Sequence, residues 1–470
     1  MQDSGLPDRL SKDLSRAART IREAEDILIV AHIDADGISS AAIAARTCER
    51  LGKDHEILFA KKMDDTTVNA VNGSVRSAVW IVDLGSGYLT SFTRGSIVVT
   101  DHHVPDPNWR RKGQTTLDGF LSIDHVNLHT YGMDGSSEGC GATMTYLLSR
   151  AIDHANRDLA YLAVVGACGD IQDMNGTGLI GLNKIAIEDA TDMGDVSVEM
   201  DLRLFGRMTR PLVQFLQYSN DPAIAGISDD NTGCNRLLSG LGIPLKERNR
   251  LRVWDDLIND EKERIRKALA ERVDRNDIRR LIGEVYTLPR FGREGGLRDA
   301  KEFATALNSC GRYDDAPTGV RICFGEEDAV RDAENNRAEH RKNISAALQY
   351  VKQNDLIRVR RFIQYFDAGT AIKETVIGIV AGMILNTEGF RRDLPILAFA
   401  SADDGIKVSS RADRSLGERG LDLSFVMNSA SSLVGGYGGG HNVAAGATIP
   451  EGSEERFLDI VEDLVSSQIN

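Results

Sequence analysis

ILIVAHIDADG, residues 27–37, decides how the rest of the chain is read. Its apolar half, 27–31, has the pattern of a short buried parallel strand. It runs into His32, Asp34 and Asp36, then Gly37, and an Ala-rich helical stretch comes next at 39–50. Residues at i, i+2 and i+4 of an extended chain project to the same side. One imidazole and two carboxylates therefore converge just beyond the carboxyl end of a strand, where open α/β sheets place their ligands. Two readings compete. A lone Asp ahead of a helix is ordinarily its cap. Three alternating ligands this close repel one another unless a cation sits between them, and the joint pattern favours a divalent-metal cradle.

The device recurs along the chain. The apolar run 78–82 ends in Asp83 and a Gly/Ser turn, and 96–100 ends in Asp101, His102 and His103. The stretch 121–126 carries Asp124 and His125, and the apolar segment of YLAVVGACGDIQD leads to Asp170 and Asp173. A further strand is expected at 56–60. Helical spacing at Leu10, Leu14, Ala17, Ala18, Ile21 and Ala24, and again over 141–150, separates these runs. Strand, acidic end and helix in alternation describe an α/β domain built on a mainly parallel sheet with both faces covered. Any one of these acids could be a turn former. Three strand ends and a Gly-Asp gathered on one sheet edge make a metal site the stronger reading. Oxygen and imidazole donors without thiolate suit Mn²⁺ or Mg²⁺.

The chain has 470 residues, enough for two or three domains with sizeable cores. No apolar run approaches the roughly 20 residues that span a bilayer, and the first residues lack the apolar core of a signal peptide. Six scattered cysteines form no CxxC pair and read as reduced, packed thiols, which points to the cytoplasm. A net charge of −14 excludes coating of duplex nucleic acid by bulk electrostatics, but not a nucleic-acid enzyme with a local basic groove.

Residues 192–306 change character: charged helical runs dominate, and no acid-ended strand is legible. They read as a helical insertion, either a solvated spacer or a module that docks a partner. LNSCGRYDDAPTG, residues 307–319, contains Asn308, Gly311 and Arg312. Residues 334–362 then predict a long helix whose basic groups are His340, Arg341 and Lys342, with Arg358, Arg360 and Arg361 at its end. A helical run is expected at 372–385 and strands at 395–400 and 406–410, the last running through Ser410 into Arg411. Five glycines among the six residues 435–440 precede His441. They read as a loop whose backbone can approach an anion, leading into the start of a small-residue helix.

Taken together, His32, Asp34, Asp36 and Gly37, then Asp83, then Asp101, His102 and His103, then Gly169 and Asp170, resemble the four motifs of the DHH phosphoesterase superfamily. Asn308, Gly311 and Arg312 are similar to a segment of RecJ-type exonucleases. Ser410 and Arg411, with Gly438, Gly439, Gly440 and His441, resemble the DHH-associated C-terminal domain. The resemblance implies a DHH catalytic domain over 1–191, the helical insertion over 192–306, the Asn-x-x-Gly-Arg segment and connecting helix over 307–360, and a smaller α/β substrate-binding domain over 361–470. It implies two divalent ions, Mn²⁺ before Mg²⁺. Asp83 would bridge them, His32 and Asp34 would complete one site, and Asp36, His102 and Asp170 the other. His103 would face the scissile phosphate, Asp101 would orient an imidazole, and Arg312, Ser410, Arg411, the three glycines and His441 would hold the substrate.

The implied activity is single-strand-specific exonuclease action on DNA or RNA, in replication or repair, in the layout of the archaeal RecJ-like nucleases. A GINS or replicative-helicase contact would fall on the insertion, and no membrane is involved. Alternatives are a phosphodiesterase for short oligonucleotides or cyclic dinucleotides, a pyrophosphatase, and an inactive replisome scaffold. The Gly-rich stretch with Arg411 and His441 disfavours the pyrophosphatase, and the size of the insertion disfavours the short-oligonucleotide enzymes. A scaffold has no reason to keep six metal ligands.

Overall fold

The computed structural model describes residues 6–109, 123–174, 176–219, 221–275, 277–292, 296–385 and 391–469. The chain divides into two compact units, Met1–Asn335 and Asn336–Asn470.

In the first unit, β1 (Asp26–His32), β2 (Asp54–Ala60), β3 (Ala78–Val82), β4 (Ile97–Asp101) and β5 (Ile123–Asn127) form one sheet in the order β2-β1-β3-β4-β5. Every neighbouring pair is parallel. The period of two survives even where both faces are apolar. Ile27, Ile29 and Ala31 of β1 join one core cluster, whereas Leu28 and Val30 join another on the opposite face. β3 divides in the same way, with Trp80 and Val82 on one side and Val79 and Ile81 on the other. Helix α1 (Asp8–Glu23) buries Leu10, Leu14, Ala17, Ala18 and Ile21, the stripe predicted from their spacing. Helix α2 (Ala35–Arg50) is buried over almost its whole length, because helices Gly141–Ile152 and Ala160–Gly169 pack against it as well as the sheet. Its small residues allow that close approach. Leu121 lies outside the described residues; the strand carrying Asp124 and His125 begins at Ile123.

A short antiparallel pair, β6 (Ser197–Leu202) with Ile282–Thr287, frames the stretch expected to be a helical insertion. Between these strands lies a cluster of its own, with Phe215, Trp254, Ile265 and Leu281 at its centre. Helices Asn231–Gly240 and Asn259–Ala270 supply much of it. A two-residue hairpin, Lys246–Glu247 with Arg250–Leu251, adds further β structure. Tyr286, Leu288, Phe303 and Ala306 belong instead to the main core.

Helix Glu327–Gln353 spans the sequence boundary of the units; the long helix expected over 334–362 is corrected at its end, since Arg358–Val359 is a strand and Arg358, Arg360 and Arg361 lie beyond the helix. The second unit is built on a six-stranded sheet. Its strands in order are Arg358–Val359, Gln364–Asp367, Ile396–Ala402, Gly405–Arg411, Ala444–Ile449 and Tyr437–His441. The glycine-rich stretch is thus corrected. Gly438, Gly439 and Gly440 lie in an edge strand, and the chain beyond His441 forms its antiparallel partner, not a helix. Packing excludes a side chain at Gly438 and Gly440, whereas a Cβ on Gly439 would meet nothing within 4 Å. A Cβ on Gly438 would lie 2.8 Å from the carbonyl oxygen of Met427, in the helix Leu423–Leu433 that covers this strand. Among the described residues, no helix is long and apolar enough to cross a membrane.

Candidate metal centre

Neighbouring parallel strands bring their ends together. Ala31 lies opposite Val82, and Val82 opposite Thr100. The residues just beyond, His32, Asp83 and Asp101, therefore fall side by side. Asp36 enters from the first turn of α2, and Asp170 from the C-terminal end of helix Ala160–Gly169. Among the described residues, three overlapping metal-competent groups result: His32, Asp34 and Asp83; Asp36, His102 and Asp170; and Asp83, Asp101, His102 and His103.

Asp83 is the hinge of the cluster. Its Oδ2 is 3.6 Å from His32 Nδ1, while its Oδ1 is 3.2 Å from His102 Nε2. Around His102, the Asp170 carboxylate is 3.3 Å away and that of Asp36 is 3.8 Å away. Both Asp83 oxygens and His32 Nδ1 are buried and make no hydrogen bond of good geometry. Buried polar atoms are seldom left this way, because each loses its hydration without replacement. A pair of divalent cations would satisfy them, and the donor set of carboxylates and imidazoles fits Mn²⁺ or Mg²⁺. Asp83 also adopts φ +61°, which is uncommon for a residue other than glycine. Gly141 makes room for it; a Cβ there would sit 2.5 Å from the Cβ of Asp83.

The charges are mutually constrained. Burial, reinforced by the charges of Asp83 and Asp170, pushes Asp36 well above the ordinary carboxylate range. Burial likewise pushes Asp170 up to about 7, with His102 opposing. Burial would raise Asp83 too, but His102 and His32 override it and hold the group well below that range. Burial works against protonation of His32 and His102, yet Asp34 and Asp83 respectively raise them well above the usual imidazole value. One carboxylate is held ionised between two that resist ionisation, a charge pattern that a divalent cation would relieve.

Asp34 caps the helix and also belongs to a metal-competent group. Its Oδ1 accepts from the Gly37 N–H and caps α2, while its Oδ2 lies 2.8 Å from His32 Nδ1. Asp101 stands behind the cluster. Its Oδ1 is 2.8 Å from His103 Nδ1 and accepts from the His102 N–H, and its Oδ2 accepts from the Ser86 N–H. The hydrogen bond with Asp101 raises His103 above its ordinary value. Asp124, by contrast, is bound by Arg16 and Thr20, His125 meets Ser86, and Asp173 pairs with Lys301. None of these three is in a metal-competent group.

Sequence reasoning missed the groups that aim the ligands. Gly135 O lies 2.7 Å from His102 Nδ1, which leaves Nε2 for the cluster. Gln172 donates to the carbonyls of Gly135 and Gly139, and Asn183 donates to Gln172. The N–H groups of Gly141 and Ala142 both donate to Asp36. Most of these are backbone groups, which leave no residue signature.

Asn308 and Gly311 serve the opening motif directly. Asn308 Oδ1 accepts from the Ala35 N–H at 2.9 Å, and a Cβ on Gly311 would lie 1.7 Å from Ile33 O. Arg312 is next along the helix and half-buried; burial lowers it, and the charge of Asp34 works in the opposite direction. In the second unit, Arg411 Nη1 donates to Ser410 O, and the buried Ser410 hydroxyl donates to Ala445 O. Burial lowers Arg411, and among the described residues no carboxylate is paired with it. Arg411 pairs with Ala444 across the sheet, and Ala444 with His441, which sets the three backbones in one row.

This strand-end cluster on a parallel sheet, with an inserted module and a mixed-sheet unit after it, defines a DHH-family protein with the RecJ-like fold. The chain matches the DHH family N-terminal domain over residues 26–167, the DHH-CID domain over 204–282 and the DHHA1 domain over 357–467. It is 26% identical over 470 residues to the uncharacterized protein MJ0831 of Methanocaldococcus jannaschii, covering 97% of this chain and 98% of that protein. The fold is similar to RecJ of Thermus thermophilus in complex with Mn²⁺, with a TM-score of 0.57 and 17% identity. That match covers 98% of this chain and 55% of the RecJ chain, so this chain spans about half of that nuclease. It is also similar to CDC45 of Entamoeba histolytica, with a TM-score of 0.63, 11% identity and 98% of both chains covered.

Proposed function

We propose that the protein is a metal-dependent exonuclease that hydrolyses single-stranded DNA or RNA from an end, in replication or repair in the cytoplasm. One observation carries the reading: the two buried oxygens of Asp83, each beside a different imidazole and neither hydrogen-bonded. His32, Asp34 and Asp83 would hold one divalent ion, and Asp83, Asp36, His102 and Asp170 a second, with Mn²⁺ preferred over Mg²⁺. Such a pair, when bound, activates water and stabilises the attacking and leaving oxygens of an in-line phosphoryl displacement.

The chain's own residues do the rest. His103 has a side chain 57% exposed and is fixed through Nδ1 by Asp101, so Nε2 is free to donate to a phosphate oxygen. Protonation raised by Asp101 suits that task. Arg312 stays cationic despite burial and would hold a phosphate near Asp34. Arg411, with the backbones of Gly438, Gly439, Gly440 and His441, would bind phosphates further along the strand, and Ser410 would orient Arg411 through its carbonyl. In this division of labour residues 1–191 carry the chemistry, 307–360 and 361–470 position the strand, and 192–306 dock a replication partner such as GINS or the replicative helicase.

A scaffold role finds support in the fold likeness to CDC45, but a scaffold does not require the ligand set around Asp83. The test is digestion of single-stranded DNA and RNA, labelled at either end, with Mn²⁺, Mg²⁺ or chelator. Stepwise metal-dependent release of mononucleotides is expected. Intact oligomers under every condition, or cleavage of dinucleotides only, would overturn the reading.

A further inference from the structure

Two exposed apolar residues directly follow residues of the cluster in the chain. Ile171 directly follows the ligand Asp170, holds φ +60° and is 67% exposed. A β-branched residue in the left-handed region is a genuine outlier, and strain of this kind gathers at functional sites. Here the strained side chain gains no burial in return. Val104 directly follows His103 and is 75% exposed. Asp170 lies 3.3 Å from His102, so each apolar residue follows closely in the chain on a residue of the same cluster. Tyr88, 41% exposed, stands on the loop after Asp83, where a Cβ on the adjacent Gly87 would lie 4.0 Å from Val104 O.

We propose that Ile171 and Val104 form the seat of the nucleobase belonging to the nucleotide whose phosphate enters the metal centre, with Tyr88 closing its outer side. The inference rests on the nuclease reading and names what that site reads. A nucleotide divides chemically into an anionic part, which the cations and His103 take, and a flat, weakly polar base. Every base has an apolar face, so the contact is tolerant of sequence. Asn or Gly would occupy φ +60° at residue 171 without strain. Ile is useful there only if its side chain meets something apolar.

Two variants separate the side chain from the backbone. Ile171→Gly and Ile171→Asn both relieve the strain, so each should melt no lower than the parent. On ordinary single strands each should raise KM about tenfold. The companion substrates carry an abasic residue at the first or the last position. On whichever end is digested, the parent's KM should rise by a similar factor, while the variants should show less than about a twofold further loss. Val104→Ser should repeat the pattern in weaker form. Equal losses by Ile171→Gly on normal and abasic substrates, or no loss on either, would overturn the seat while leaving the nuclease intact. Absence of metal-dependent turnover by the parent would refute the nuclease reading and the inference with it.

Discussion

The strand-end edge of the first unit and the Arg411 face of the second unit carry opposite frustrations. At the first, carboxylates crowd around Asp83, and its oxygens are buried without hydrogen bonds. At the second, a half-buried arginine has no acid holding up its pKa, and it lies in line with a glycine-rich edge strand. The donors of the first suit cations and the arginine of the second suits anions. Under the activity proposed above, the first edge would carry the chemistry and the second the grip. Substitutions at the first edge should therefore act on turnover, and those at the second on affinity.

The largest effect is expected at the bridge. Asp83→Ala should lower turnover by at least about a thousandfold, since preorganised charge carries most of such catalysis. Its circular dichroism should match the parent's. Near-normal hydrolysis by this variant would dissolve the contrast between the two edges.

The inserted module sharpens the comparison because it contributes to neither edge. Arg207 pairs with Asp299, and Glu302 accepts from Met208 N–H and Thr209, so residues 203–210 must be retained. Replacing residues 211–280 by a Gly/Ser linker is geometrically feasible, since Leu202 and Ile282 are cross-strand neighbours. The shortened protein should still melt cooperatively and degrade single strands, but should not bind GINS or the replicative helicase, the partners proposed for the module, in a binding assay. Loss of nuclease activity in a folded deletion would mean that the module shapes the strand path.

At the second edge, Arg411→Ala should raise KM on single strands about tenfold with turnover at saturation changed by less than about threefold. A fall in turnover with unaltered KM would move Arg411 to the chemical side of the comparison.

The smallest effect is on stability. With its pKa at about 7 against an ordinary 3.8, Asp170 resists ionisation in the folded chain. A carboxyl group raised in this way contributes stability below its unfolded pKa and loses that contribution as pH rises through the folded value. The metal-free protein should therefore weaken between about pH 4 and about pH 7. Asp170→Asn, without metal, should melt several degrees higher than the parent near pH 8 and about equal to it near pH 4, the difference being on the order of 1–3 kcal/mol. A gain independent of pH would assign it to packing.

The kind of group involved decides how much could be read beforehand. The expectation that an extended chain aligns His32, Asp34 and Asp36 is corrected: β1 ends at His32, Asp34 caps α2 and Asp36 lies in the first turn of that helix, in a different group from the other two. Asp83 and Asp101 were legible because strand ends of a parallel sheet fall on one edge. Gly135 O and the Gly141 and Ala142 N–H groups were not, because a backbone group looks the same in every residue and its partner here is 33 or more positions away. Asp124 and Asp173 resemble the ligands in sequence, but Arg16 and Lys301 had already claimed them in space. The glycine-rich strand read as a loop because glycine is a poor strand former alone. The helix Leu423–Leu433 at Gly438, and the neighbouring strand at Gly436 and Gly440, explain why side chains are excluded there.

The measurement that bears most directly on the central claim is a Mn²⁺ titration of the parent and of Asp83→Ala, monitored by electron paramagnetic resonance. The account predicts two ions per chain in the parent with an exchange-coupled spectrum, because one carboxylate bridges them, and loss of that coupling in the variant. A single uncoupled Mn²⁺ per chain, or two whose spectrum is unchanged in Asp83→Ala, would contradict it.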